Sequence, residues 1–145
     1  MESAALEAML QLSDTYAIAA RQIDAPLAGH HGLSFAELRL LRALAAAPAG
    51  RAGPTELARA LNLTASGVSR ALGPLVRRHI VAREADPRDA RAGNALLTPA
   101  GRQLLVDATA TAREASERLL RRLSVGQTRQ LERLLGEVTV APPRR

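Results

Sequence analysis

The chain has 145 residues, the size of one ordinary domain, which argues against two catalytic domains or a long repeat array. Its 47% apolar content can bury a core, but 1% aromatic leaves that core to Leu and Ala and excludes base stacking on several aromatic side chains. Twenty Arg, no Lys and fourteen acids give a net charge of +6, which suits an anionic partner, while zero Cys excludes disulfides, thiol switches and Cys-based zinc sites.

No apolar run approaches the roughly 18 residues of a membrane helix, and the start lacks a basic segment followed by an apolar stretch and a cleavage site. A cytoplasmic protein without membrane contact is expected. The charge is uneven along the chain. Residues 1–47 carry three Arg and five acids, residues 48–102 nine Arg and four acids, and residues 103–145 eight Arg and five acids. The middle third is the electropositive segment.

Leu6, Met9, Ser13, Tyr16, Ala20 and Ile23 recur at three- and four-residue spacing, predicting a helix that nothing breaks before Pro26. Its apolar stripe needs covering. After Gly29-His30-His31-Gly32, Ser34 and Glu37 form a capping-box signature, and Leu38, Leu41 and Leu44/Ala45 mark a core face ending at Pro48. Ala49–Gly53 reads as a loop. Pro54 suits the first position of a helix over Thr55–Leu61, and Asn62 is a left-handed stop.

Thr64 caps a further helix in which Val68, Leu72, Leu75 and Val76 form one stripe, while Ser66, Ser69, Arg70, Gly73 and Arg77 lie away from it. Residues 80–84 and 94–97 read as two strands joined by a turn-rich tip over 85–93 that holds Arg88 and Arg91. Thr98-Pro99 opens a helix with Leu105, Ala108, Ala112, Ala115 and Leu119 in register. Its small residues would let another helix approach closely. Ser124 and Gln127 box the start of a last helix, with Leu131, Leu134, Leu135 and Val138 expected inward. Residues 141–145 are a tail.

Two short helices joined by a tight turn and followed by a basic hairpin make a winged helix-turn-helix, whose second helix enters a DNA major groove. The fold class is therefore mainly α with a small β-hairpin wing. Ala58 is small where the two helices cross, Asn62 tolerates positive φ at the turn, and Val68 packs the second helix on the first.

The segments Glu56–Thr64, Ser66–Arg70, Asp86–Arg91 and Leu97-Thr98-Pro99-Ala100-Gly101 resemble the multiple-antibiotic-resistance regulator (MarR) family of bacterial transcription factors. The wing with its trailing Leu-Thr-Pro-x-Gly is the most specific piece. The resemblance implies one domain: dimerisation helices at 1–33 and 99–140, and a winged helix-turn-helix lobe at 34–98. It implies a homodimer on double-stranded DNA, reading a pseudo-palindromic operator as a repressor or, less often, an activator. Thr64, Ser66, Gly67, Ser69 and Arg70 would face the major groove, Arg77 would approach phosphate, and Arg88 and Arg91 would act from the wing. Arg91 matches the family's minor-groove arginine, with Asp89 orienting its basic neighbours.

Two positions depart from the family pattern. Gly73-Pro74 lies inside the second helix, which should bend or end early there because an interior Pro costs about 3 kcal/mol. His79 stands where Gly is common and must take positive φ less easily.

Other chemistry is thinner. Arg21, Asp24, His30 and Arg42 could line a site for a small anionic or aromatic effector between the dimer helices and the DNA lobe, as the resemblance suggests. Adjacent His30 and His31, with only His79 besides and no Cys, make a poor metal shell. Binding needs no cofactor. No Ser, His or Asp sits in a recognisable nucleophile, metal or phosphate-loop motif, so no enzyme is expected. The competing reading is a winged-helix adaptor using its basic face on an acidic protein or RNA; selective binding to a palindromic duplex separates the two.

Overall fold

The computed structural model describes the backbone of residues 3–86 and 89–139, and the side chains of these other than 86–92. Its elements are α1 (Ala4–His31), α2 (Phe35–Ala46), a 3-10 turn (Pro48–Gly50), β1 (Arg51–Ala52), α3 (Pro54–Leu61), α4 (Ala65–Arg77), β2 (Val81–Asp86), β3 (Asp89–Leu97), α5 (Pro99–Leu119) and α6 (Val125–Thr139). The class is the expected one, mostly helical with a small antiparallel sheet. That sheet has three strands in the order β1-β3-β2, so the wing is more than a hairpin. Arg51 pairs with Leu96 and Ala52 with Ala95, in a segment expected to be loop. The two-residue strand has no periodicity of its own and exists only because β3 offers an edge. Across the hairpin Val81 pairs with Leu97 and Asp86 with Asp89, so both strands run further toward the tip than the expected 80–84 and 94–97.

Local chemistry sets most helix ends. Ser34 Oγ accepts from Glu37 N at 3.1 Å and Glu37 Oε2 accepts from Ser34 N at 2.8 Å, the expected capping box. Ser124 and Gln127 repeat it at the start of α6. Thr98 Oγ1 accepts from Gly101 N at 2.9 Å at the start of α5.

Helix α1 does not stop at Pro26. It runs on to His31 and closes at Gly32, whose φ of +63° is the left-handed stop. Proline removes one helical hydrogen bond, but buried Ile23 and Leu27 on either side hold the helix against the core. Of the bend or early end expected in α4, the early end does not occur: the helix continues through Pro74 to Arg77. Gly73 has no Cβ to clash with the proline ring, and Leu72 and Leu75 are fully buried on both sides of the break.

The core is the expected Leu and Ala assembly. Leu38, Leu41 and Leu44 of α2, Leu57 of α3, Val68, Leu72 and Leu75 of α4, and Val81 of β2 are buried in one cluster. Ala108, Ala112 and Ala115 are buried along α5, which packs against α1. The last helix departs from expectation. Leu131, Leu134 and Leu135 of α6 are 38%, 45% and 39% exposed, and no α6 residue is buried. They form an outward stripe, because among the described residues no other element covers the apolar side of α6. Leu6, Met9, Leu10 and Tyr16 of α1 are exposed in the same way.

Candidate nucleic-acid interface

The geometry begins with the turn between α3 and α4. Asn62 takes φ 55° and ψ 47°, Leu63 N donates to Ala58 O at 2.8 Å, and the chain reverses within three residues. Thr64 then caps α4: its Oγ1 accepts from Gly67 N at 3.1 Å and lies 3.4 Å from Ser66 Oγ. The Thr64 hydroxyl is therefore a structural cap at the point where the helix meets solvent. A Cβ at Gly67 would lie 3.0 Å from that oxygen, so this position favours glycine.

Burial divides α4 into two faces. Val68, Leu72 and Leu75 are sealed, while Thr64, Ser66, Arg70 and Arg77 are exposed and Gly67 and Ser69 half-buried. The structure thus gathers Thr64, Ser66, Gly67, Ser69, Arg70 and Arg77 on the surface of one helix. The described ion pairs are Arg51–Glu84 at 2.9 Å and Arg133–Glu137 at 2.8 Å. Among the described residues neither Arg70 nor Arg77 is so paired, and both are available to an external anion.

The wing is anchored at its base. Arg51–Glu84 ties β1 to β2 across β3, and Arg102 Nη1 donates to Leu97 O at 2.9 Å where β3 passes into α5. Arg88 lies outside the described residues. Arg91 lies on β3, and its side chain is likewise outside them. Arg83, exposed on β2, is a further wing cation that sequence reading passed over; strand alternation puts it on the same face as buried Val81, so the pattern alone does not mark it as exposed.

The turn after α4 confirms His79 at φ +56°. His79 N donates to Val76 O and Ile80 N to Leu75 O, both at 3.0 Å, and Ile80 is buried beside Leu75. Arg78 just before it turns back to α1. Its Nη1 donates to Gly32 O at 2.8 Å and its Nη2 to His31 O at 3.1 Å. Nothing local marks this contact, since 46 residues separate the partners.

The four residues expected around an effector are not brought together. Because α1 continues through Pro26, Arg21 and His30 are nine residues apart on one helix: about 13.5 Å along its axis and on opposite faces. Asp24 is committed elsewhere, its Oδ1 accepting from Phe35 N at 2.6 Å at the start of α2. Arg42 lines a shallow groove with Arg39, Ala43 and Leu61. His31 Nε2 shares a 2.8 Å hydrogen bond with Thr111 Oγ1 on α5. No cluster of His, Cys, Asp and Glu able to hold a metal assembles among the described residues, and no described helix is long and apolar enough to cross a membrane.

Residues 31–92 match the sequence profile of the MarR family. No curated protein matches the chain. Among solved structures the chain is similar to a MarR family transcriptional regulator from Streptomyces coelicolor in complex with DNA. That likeness has 25% identity and a TM-score of 0.84 over 99% of this chain and 96% of the other. It is similar in fold to a mutant MarR from E. coli complexed with operator DNA, at 21% identity and a TM-score of 0.79 over 94% of each chain. A probable transcriptional regulator from Pseudomonas aeruginosa is 27% identical, with a TM-score of 0.76 over 88% of this chain and 96% of that one. The matched segment holds the helix-turn-helix and most of the wing, and the fold is shared nearly end to end with MarR family transcriptional regulators, so the chain is similar to that family in both sequence profile and fold.

Proposed function

We propose that this protein binds duplex DNA as a homodimer, recognises a pseudo-palindromic operator, and represses the genes beside it. The observation that carries the reading is the division of α4 into a sealed apolar face and an exposed face bearing Ser66, Arg70 and Arg77. A surface helix needs only one covered face, and a second face of short polar side chains and arginines outside the described ion pairs suits a groove with base-edge acceptors and flanking phosphates. Electropositive residues 48–102 supply the sequence-independent part of the affinity. The DNA complexes solved for two fold relatives support the same geometry.

The homodimer reading is supported by apolar side chains that this chain leaves uncovered. Leu6, Met9, Leu10 and Tyr16 on α1 and Leu131, Leu134 and Leu135 on α6 are large apolar side chains between 38% and 56% exposed, the kind of clustered apolar surface that a second copy of the chain would cover. Release by a small anionic or aromatic effector is retained from the family resemblance, with Arg21, His30 and Arg42 acting from separate surfaces. Selection of bound fragments from the source genome, followed by anisotropy titration of the recovered duplex, tests the function. Recovery of a palindromic sequence is the expected result; sequence-indifferent or RNA-preferring binding would overturn it.

A further inference from the structure

Arg78 follows α4, next to Arg77, and by charge alone would be counted as another phosphate contact. Its guanidinium instead points back to the end of α1, with one nitrogen on the Gly32 carbonyl at 2.8 Å and the other on the His31 carbonyl at 3.1 Å. Both carbonyls sit at the negative end of a 28-residue helix, where a cation is favoured. Gly32 turns the chain into the left-handed region there, and a Cβ on it would lie 3.2 Å from Arg78 Nη2. The turn through His79 fixes the direction in which the chain leaves α4. On the far side of the same helix end, His31 is hydrogen-bonded to Thr111 of α5.

We infer that Arg78 is a positioning residue for operator recognition: it locks the reading helix α4 to the α1–α5 frame and thereby sets which half-site spacing the dimer accepts. The inference rests on the DNA-binding reading above. In a two-fold dimer the reading helices are separated by whatever the frame imposes, and one extra base pair between half-sites rotates the second by about 35° and moves it about 3.4 Å. A lobe tied by two hydrogen bonds cannot follow; an untied lobe can. Lysine would keep the charge but present a single nitrogen where the guanidinium offers two.

The test uses the full-length protein and the duplex recovered by genomic selection, in its native form and with one base pair inserted or deleted between half-sites. Wild type is expected to bind the native spacing at least about tenfold tighter than either altered duplex, because the second lobe loses its engagement. Arg78→Ala and Arg78→Lys should both shrink that ratio to about threefold or less. Gly32→Ala, whose Cβ would crowd Arg78 Nη2 at 3.2 Å, should do the same. Partial unfolding lowers binding to all three duplexes equally and leaves the ratio alone, so the ratio reads positioning. An unchanged ratio in Arg78→Ala, or a normal one in Arg78→Lys with a reduced salt slope only in Arg78→Ala, overturns the inference in favour of a phosphate contact. A wild-type protein that binds no duplex overturns the DNA-binding reading itself.

Discussion

The carbonyl of Ile80 stands where the side chain of any residue other than glycine at position 101 would begin. A Cβ on Gly101 would fall inside the van der Waals shell of that oxygen, which is backbone and cannot swing away. The same carbonyl accepts from Thr98 N at 3.1 Å, and Thr98 Oγ1 reaches His79 O at 2.7 Å. The Leu-Thr-Pro-x-Gly segment is thus a clasp holding the end of the wing and the start of α5 against the turn after α4. Gly101→Ala should lower stability by about 1–3 kcal/mol through overpacking. Gly29→Ala, in a helix with nothing within 4 Å of the new Cβ, should raise it by about 0.5–1 kcal/mol. Urea unfolding of both variants checks the contrast, and equal effects would remove the clasp.

Asp24 caps α2 from outside its own helix, through a 2.6 Å contact to Phe35 N, while Ser34 and Glu37 complete the same helix start. Asp24→Ala should therefore cost about 1 kcal/mol in chemical denaturation, with Asp24→Asn losing less because it keeps an acceptor. A loss of effector response in Asp24→Ala with unchanged stability would instead return this carboxylate to a ligand site.

What the sequence disclosed and what it concealed divide along range of interaction. Asn62, Thr64, Ser34 with Glu37, and Thr98 with Pro99 act on backbone groups within a few residues, so their chemistry was legible from neighbours alone. Arg51-Ala52 became a strand only by pairing with Leu96 and Ala95, more than forty residues on. Pro26 and Pro74 failed to end their helices because burial of Ile23, Leu27, Leu72 and Leu75 outweighs one lost hydrogen bond. The continuation through Pro26 also puts His30 on the helix face opposite Arg21, away from the effector site expected around both. The exposed polar face of α4 was readable because period and polarity coincide there; the Arg78 contact was not, because its partners are backbone carbonyls and carry no sequence signal.

The uncovered stripes on α1 and α6 give an assembly prediction. Leu131→Glu with Leu135→Glu alters side chains that touch no core of this chain, so helical content should be retained while sedimentation shifts from dimer to monomer. Operator affinity should fall with it, since two linked half-site contacts exceed one by roughly a hundredfold or more. A wild-type protein sedimenting as a monomer at micromolar concentration would refute the homodimer.

Electrostatics should dominate affinity. Nine Arg against four acids over residues 48–102 displace counterions from the duplex, and contact with six or more phosphates implies a log K against log salt slope of roughly −5 or steeper. Anisotropy titrations across a salt series measure it, and a flat dependence on the selected duplex would count against a DNA role.

The arginines themselves should not be equivalent. Arg70 stands exposed on α4, outside the described ion pairs and on the same helix surface as Ser66, and on the proposed DNA-binding reading it would meet a base edge. Arg91 matches by motif the family's minor-groove residue, where a narrow A·T-rich tract concentrates negative potential. Arg113 lies on α5, in a groove lined also by Leu120, Leu123 and Val125 where α5 meets α6, and no part of it belongs to the reading head. Arg70→Ala and Arg91→Ala should each cost about 1–3 kcal/mol on the operator. Only Arg70→Ala should relax base preference at one defined position, whereas Arg91→Ala should weaken the advantage of A·T-rich flanks. Arg113→Ala should leave binding nearly unchanged. Titrations at matched salt, with folding followed by circular dichroism, measure all three; equal losses that vanish together at high salt would mean a diffuse basic surface and remove both the helix and the wing from sequence recognition.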